Sequence, residues 1–160
     1  MFQDIQSKFS KDPSLASLIF SNLLTVVAAV TFNWGVLTVM FVYWSQSVII
    51  GLFTVLKILL SKPVFPAGFP KDNLLVKIIL AIGKLFFAGF FTIHYGLFHL
   101  AYGAFLFGFA TAAQNALIPE IAKFGNVDYL AIALSAAIFF LNHLFSFYYN
   151  FIKRNEREMF

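Results

Sequence analysis

The chain has 160 residues, of which 61% are hydrophobic and 11% charged, and it carries a formal net charge of +4. That is too little charge to cover a soluble domain of this size, so lipid is the expected solvent for most of its surface. The absence of cysteine excludes disulfides, thiolate zinc sites and iron–sulfur clusters. The basic residues stand at the ends of apolar runs rather than in one patch, which argues against nucleic acid as a partner.

Residues 1–14 mix Asp4, Lys8, Lys11 and Asp12 with Phe2, Ile5 and Phe9, which is not a secretory-signal pattern. An interfacial helix and a frayed terminus are both open readings of this segment. The first apolar run, 15–32, opens after Asp12-Pro13-Ser14, a helix-start signal. The second, 35–60, follows Asn33-Trp34 so closely that the two runs must form a hairpin. Lys57 lies one turn from its end and can snorkel to the headgroups. Residues 61–70 hold three prolines and a glycine and cannot continue a helix.

Helical pattern resumes at Asp72. Residues 61–84 are read as a Pro-rich loop and an interfacial helical turn leading into the third run, 85–109. One long tilted helix from Asp72 to Phe109, roughly 57 Å at 1.5 Å per residue, is the alternative. A more polar link, 110–128, has room for a short surface helix. The fourth run, 129–152, ends in a basic tail, 153–160.

The expected fold is all-α: one integral membrane domain, residues 1–160, with four transmembrane helices. Ten basic residues then fall on the side of the termini (Lys8, Lys11, Lys57, Lys62, Lys71, Lys77, Lys84, Lys153, Arg154 and Arg157). Lys123 alone falls on the other. The positive-inside rule places both termini in the cytoplasm.

Threaded this way, three spans carry polar residues near mid-membrane: Gln46 with Ser45 and Ser47, then His94, Tyr95, His99 and Tyr102, then Asn142, His143 and Ser146. Such groups are costly at that depth unless they face each other or a cavity. Tyr95, His99 and Tyr102 form one stripe at i, i+4 and i+7. Gly96 and Gly103 lie beside it, and Gly89, Gly96 and Gly103 recur at intervals of seven. Small residues at such spacings admit a neighbouring helix, so His99 is expected in a helix–helix seam. His94 lies about 140° round the helix and roughly 7.5 Å along it, so the two imidazoles cannot ligate one ion from the same face. Trp34, Tyr148 and Tyr149 read as interface residues and Trp44 as packing beside Gln46.

There is no acidic residue within a span and no known catalytic or phosphate-binding motif. The first expectation is therefore a non-catalytic small subunit or scaffold of a larger membrane assembly, with lipid and other membrane proteins as partners. The His/Gln/Asn cluster would pin its helices. A binder of haem, metal or another cofactor ligated by His94, His99 and His143 is the second reading. A small transporter or channel is the third.

Three patches bear on the family. They are Tyr43-Trp44-Ser45-Gln46-Ser47, Phe90-Phe91-Thr92-Ile93-His94-Tyr95-Gly96 with His99, and the segment from Asn142-His143 through Ser146-Phe147 to Asn150-Phe151. Their order resembles an uncharacterised family of small polytopic prokaryotic membrane proteins. Its pattern is Tyr-Trp-x-Glu-Asn, then Phe-Phe-x-x-His-Tyr-Gly, then Ser-His-x-x-Ser-Phe-x-x-Asn-Phe. The resemblance implies a cytoplasmic (inner) membrane location and one neighbourhood for Gln46, His94, His99 and His143. Gln46 and Ser47 replace the family's Glu and Asn, and members run on past the last patch, so a truncated chain is an open reading.

Overall fold

The computed structural model describes residues 13–62 and 73–153, and all regular structure among them is helical. The N-terminal segment with Phe2, Ile5 and Phe9, the Pro-rich connection and the basic tail after Lys153 lie outside the described residues. The helices are α1 (Pro13–Thr31), α2 (Val36–Leu60), α3 (Leu74–Gln114), the one-turn α4 (Pro119–Ala122) and α5 (Tyr129–Ser146). A 3-10 turn, Lys123–Gly125, follows α4, and a π-helical stretch, Phe147–Lys153, continues α5. Three helices are long and apolar enough to cross a membrane: α2, α3, and α5 with its π-helical extension. The apolar part of α1, Leu15–Thr31, is shorter.

α3 is one unbroken helix of 41 residues, roughly 61 Å long. The single-helix alternative therefore describes it, and it runs five residues past Phe109. The physical reason is that no proline interrupts 74–114. Its glycines, at about 1 kcal/mol each, cost too little to break a helix of this length. Asn73 starts it by accepting the amide of Leu75 at 2.9 Å.

α2 is the central element. α5 packs on one side of it and α3 on another, and α1 packs on α5. Near the Asn33 end, Leu37 and Phe41 of α2 meet Leu106 and Ala110 of α3 in a buried cluster. Near the Lys57 end, Phe53 meets Phe147 and Phe151. The π-helical turn bonds i to i+5, which brings residues four apart nearly above one another. Phe147 and Phe151 stack at 5.1 Å there and fill the space beside Phe53.

The hairpin between α1 and α2 turns at Asn33, whose φ of 50° is the left-handed conformation that Asn tolerates. The α3–α5 link closes over this end. Its Gly125 lies so near the Gln114 backbone that a side chain there would collide, and Gln114 Nε2 donates to the Gly125 carbonyl at 2.8 Å. The Asp128 amide donates to Thr38 Oγ1 at 3.0 Å, and the Asp128 carboxylate accepts from Ala131 N at 2.9 Å to start α5.

Candidate functional site

The polar side chains fall into two seams that share α2. In the first, Trp44, Ser47 and Gly51 lie at i, i+3 and i+7 on α2 and face Tyr95, His99 and Gly103 of antiparallel α3. The pairing is reciprocal. A side chain on Gly51 would collide with the Tyr95 ring, and a methyl on Gly103 would stand 2.8 Å from Trp44 Cζ2. Each helix thus seats its aromatic ring on the other's glycine, with Ser47 and His99 between the two contacts.

The hydrogen bonds at the centre fix the histidine tautomer. His99 Nδ1 lies 2.9 Å from the Tyr95 carbonyl, which can only accept, so Nδ1 carries the proton. In the neutral ring Nε2 is then an acceptor, and the Ser47 hydroxyl donates to it at 2.8 Å. Tyr95 OH donates to the Ser47 carbonyl at 2.8 Å and lies 2.9 Å from Ser47 Oγ. Trp44 Nε1 donates to the His99 carbonyl at 3.0 Å. The Tyr95 and His99 rings stack with centroids 4.0 Å apart. Both imidazole nitrogens of His99 are therefore committed, and ligating a metal through Nε2 would mean giving up Ser47.

The second seam joins α1, α2 and α5. Gln46 Nε2 donates to Asn22 Oδ1 at 3.2 Å, and Asn142 Nδ2 donates to Ser21 Oγ at 2.9 Å. Gln46, Asn142 and Ser21 are buried. Gln46 and Ser47 are adjacent in sequence, so their side chains diverge by about 100° and reach different neighbours.

The remaining expected residues stand apart. His94 is exposed, stacked on Phe90 at 5.5 Å and edge-on to Phe98 at 5.2 Å. Tyr102 is exposed as well. His143 is half-buried and stacks on Phe53 at 6.0 Å, and its Nε2 has no hydrogen-bond partner among the described residues. The expected single neighbourhood of Gln46, His94, His99 and His143 is thus divided among three surfaces. Among the described residues, no group of three or more His, Cys, Asp or Glu side chains is placed to hold a metal ion. Trp44 packs across α3 on Gly103 and Phe107 rather than beside Gln46.

Sequence reasoning missed the contribution of α1. Ser17, Ser21 and Thr25 lie at i, i+4 and i+8 on one face, with Asn22 beside them. That stripe was the available signal, muted because serine and threonine can satisfy their own hydroxyls on the preceding turn.

Fold and seams together define a helical protein in which three helices are long and apolar enough to cross a membrane, with side-chain hydrogen bonds joining neighbouring helices. Within that class the chain belongs to the family of unknown function DUF6498, which matches residues 4–160. No curated protein and no solved structure matches it.

Proposed function

We propose that the chain is a four-span integral membrane protein of a prokaryotic inner membrane, with both termini cytoplasmic. Its role is that of a non-catalytic small subunit or scaffold within a larger membrane assembly. α1, at 19 residues and roughly 28 Å, is just long enough to be the fourth span. The ten-to-one division of basic residues sets the orientation.

The observation that carries the subunit role is the position of His94. It is near the middle of the third span yet on the exposed face of α3, within a ladder of Phe86, Phe90, His94 and Phe98. An imidazole facing hydrocarbon at that depth has no hydrogen-bond partner and is costly. A partner helix that covers the ladder removes that cost. The surface on offer is large: 6% of the most apolar stretch of α3 is buried, against 39% for α2. The polar residues of the two seams serve by pinning the helices to one another.

The test is copurification in mild detergent, with stoichiometry read by native mass spectrometry. The wild-type chain is expected to carry partner subunits at fixed ratio, and His94→Leu to lose them while keeping its own thermal stability. A monodisperse monomer for the wild type, or an assembly indifferent to His94→Leu, would overturn the proposal.

A further inference from the structure

Beyond the Tyr95–Gly51 contact, toward the Lys57 end, α2 and α3 leave a cavity of about 720 Å³ between them. Its two halves differ in chemistry. Lys57, Lys62 and Lys84 line it, and no carboxylate does so among the described residues. Leu80 and Phe87 supply apolar wall, and Gly83 between them leaves the wall without a side chain.

Lys84 is fixed in place. Its Nζ donates to the carbonyls of Leu59 at 2.9 Å and Ser61 at 3.2 Å, the unpaired acceptors at the end of α2. An ammonium has three donors, so one remains for a ligand. Lys57 and Lys84 over an apolar wall, at the border of two apolar helices, match an amphiphile with an anionic head. They do not match a free anion, which has no use for the wall, or a neutral lipid, which has no use for the lysines.

We propose that this cavity is a binding site for an anionic phospholipid. Its phosphate lies between Lys57 and Lys84, and its acyl chain runs along Leu80 and Phe87. The proposal rests on α2 and α3 crossing a bilayer and not on the subunit role, so either can fail alone. Basic pockets of this kind between membrane helices are favoured headgroup sites, with each lysine contributing roughly a fivefold gain in affinity.

The experiment titrates detergent-purified protein with phosphatidylglycerol or phosphatidylcholine and counts bound lipid by native mass spectrometry. Phosphatidylglycerol is expected to bind in preference, and the Lys57→Gln variant to lose roughly fivefold in that affinity. Lys123→Gln, at the opposite end of the helices, is expected to leave it unchanged. Lys84 is kept so that its bonds to the end of α2 survive. Equal binding of the two lipids would overturn the proposal, as would an undiminished preference in Lys57→Gln. Displacement of the lipid by millimolar inorganic phosphate would reduce the site to a simple anion site and overturn it as well. If that variant does not fold, the wild-type preference must still fall as salt rises, and a salt-independent preference refutes the site.

Discussion

Gly51→Ala isolates the ring-on-glycine contact. In a helix with open space at that position, alanine would stabilise by about 1 kcal/mol through helix propensity. Here the added methyl would overlap the Tyr95 ring. The ring cannot swing away cheaply, because its hydroxyl is bonded to the Ser47 carbonyl at 2.8 Å and its face is stacked on His99. Overpacking of this kind costs roughly 1–3 kcal/mol. Loss of the tyrosine hydrogen bonds adds about 0.6 kcal/mol each at the membrane average. Set against the propensity gain, the net expectation is a destabilisation of about 2 kcal/mol, measured by reversible unfolding in mixed detergent micelles. In a Tyr95→Ala background the clash is gone, so the same substitution should be neutral or stabilising. The double-mutant cycle should then show a coupling of about 2–3 kcal/mol. Stabilisation by Gly51→Ala alone, or an equal loss in both backgrounds, would refute the contact.

Ser47→Ala removes the donor to His99 Nε2 and the neighbour of Tyr95 OH, and should cost about 1–2 kcal/mol in the same unfolding assay. Among the glycines spaced by seven, Gly103→Ala should destabilise, because Trp44 Cζ2 lies 2.8 Å from the new methyl. Gly89→Ala and Gly96→Ala, which meet no atom of another helix within 4 Å, should be neutral or slightly stabilising in a thermal melt. His99→Ala should lower the melting temperature, whereas His94→Ala should leave the isolated chain within about 0.5 kcal/mol of wild type. Asn142→Ala leaves Ser21 without its donor and should cost about 1 kcal/mol, and Ser21→Ala should make that loss smaller.

The apolar runs were legible because length and composition suffice to define them: 35–60 became Val36–Leu60 and 129–152 became Tyr129–Lys153. The glycines show where pattern runs out. A seven-residue repeat drifts about 20° per heptad on a straight helix. Starting from Gly103, Gly96 and then Gly89 turn progressively away from α2, and of the three only Gly103 is buried. Depth reasoning failed differently. It grouped Gln46, His94, His99 and His143 by level, but level says nothing of direction, and which helices are neighbours is a tertiary fact. Gln46 turned to Asn22 of α1 and the adjacent Ser47 to His99 of α3. Tyr102, three residues beyond His99, falls about 60° off the line on which His99 meets Ser47.

The polar groups of α1 also bear on the order of assembly. Ser21 Oγ donates to the Ser17 carbonyl, Asn22 Nδ2 to that of Leu18 and Thr25 Oγ1 to that of Ser21. The bonds α1 receives from other helices arrive at its acceptors, Asn22 Oδ1 from Gln46 and Ser21 Oγ from Asn142. In the four-span arrangement proposed above, α1 therefore precedes its partners with a donor of each of these side chains already bonded to its own backbone. Gln46 follows Asn22 by 24 residues and Asn142 follows Ser21 by 121. At roughly 5–20 residues per second, those clasps become available about 1–5 s and 6–24 s later. In that arrangement α1 precedes both of its clasps, and what it holds open to them is the lone pairs of Asn22 Oδ1 and Ser21 Oγ.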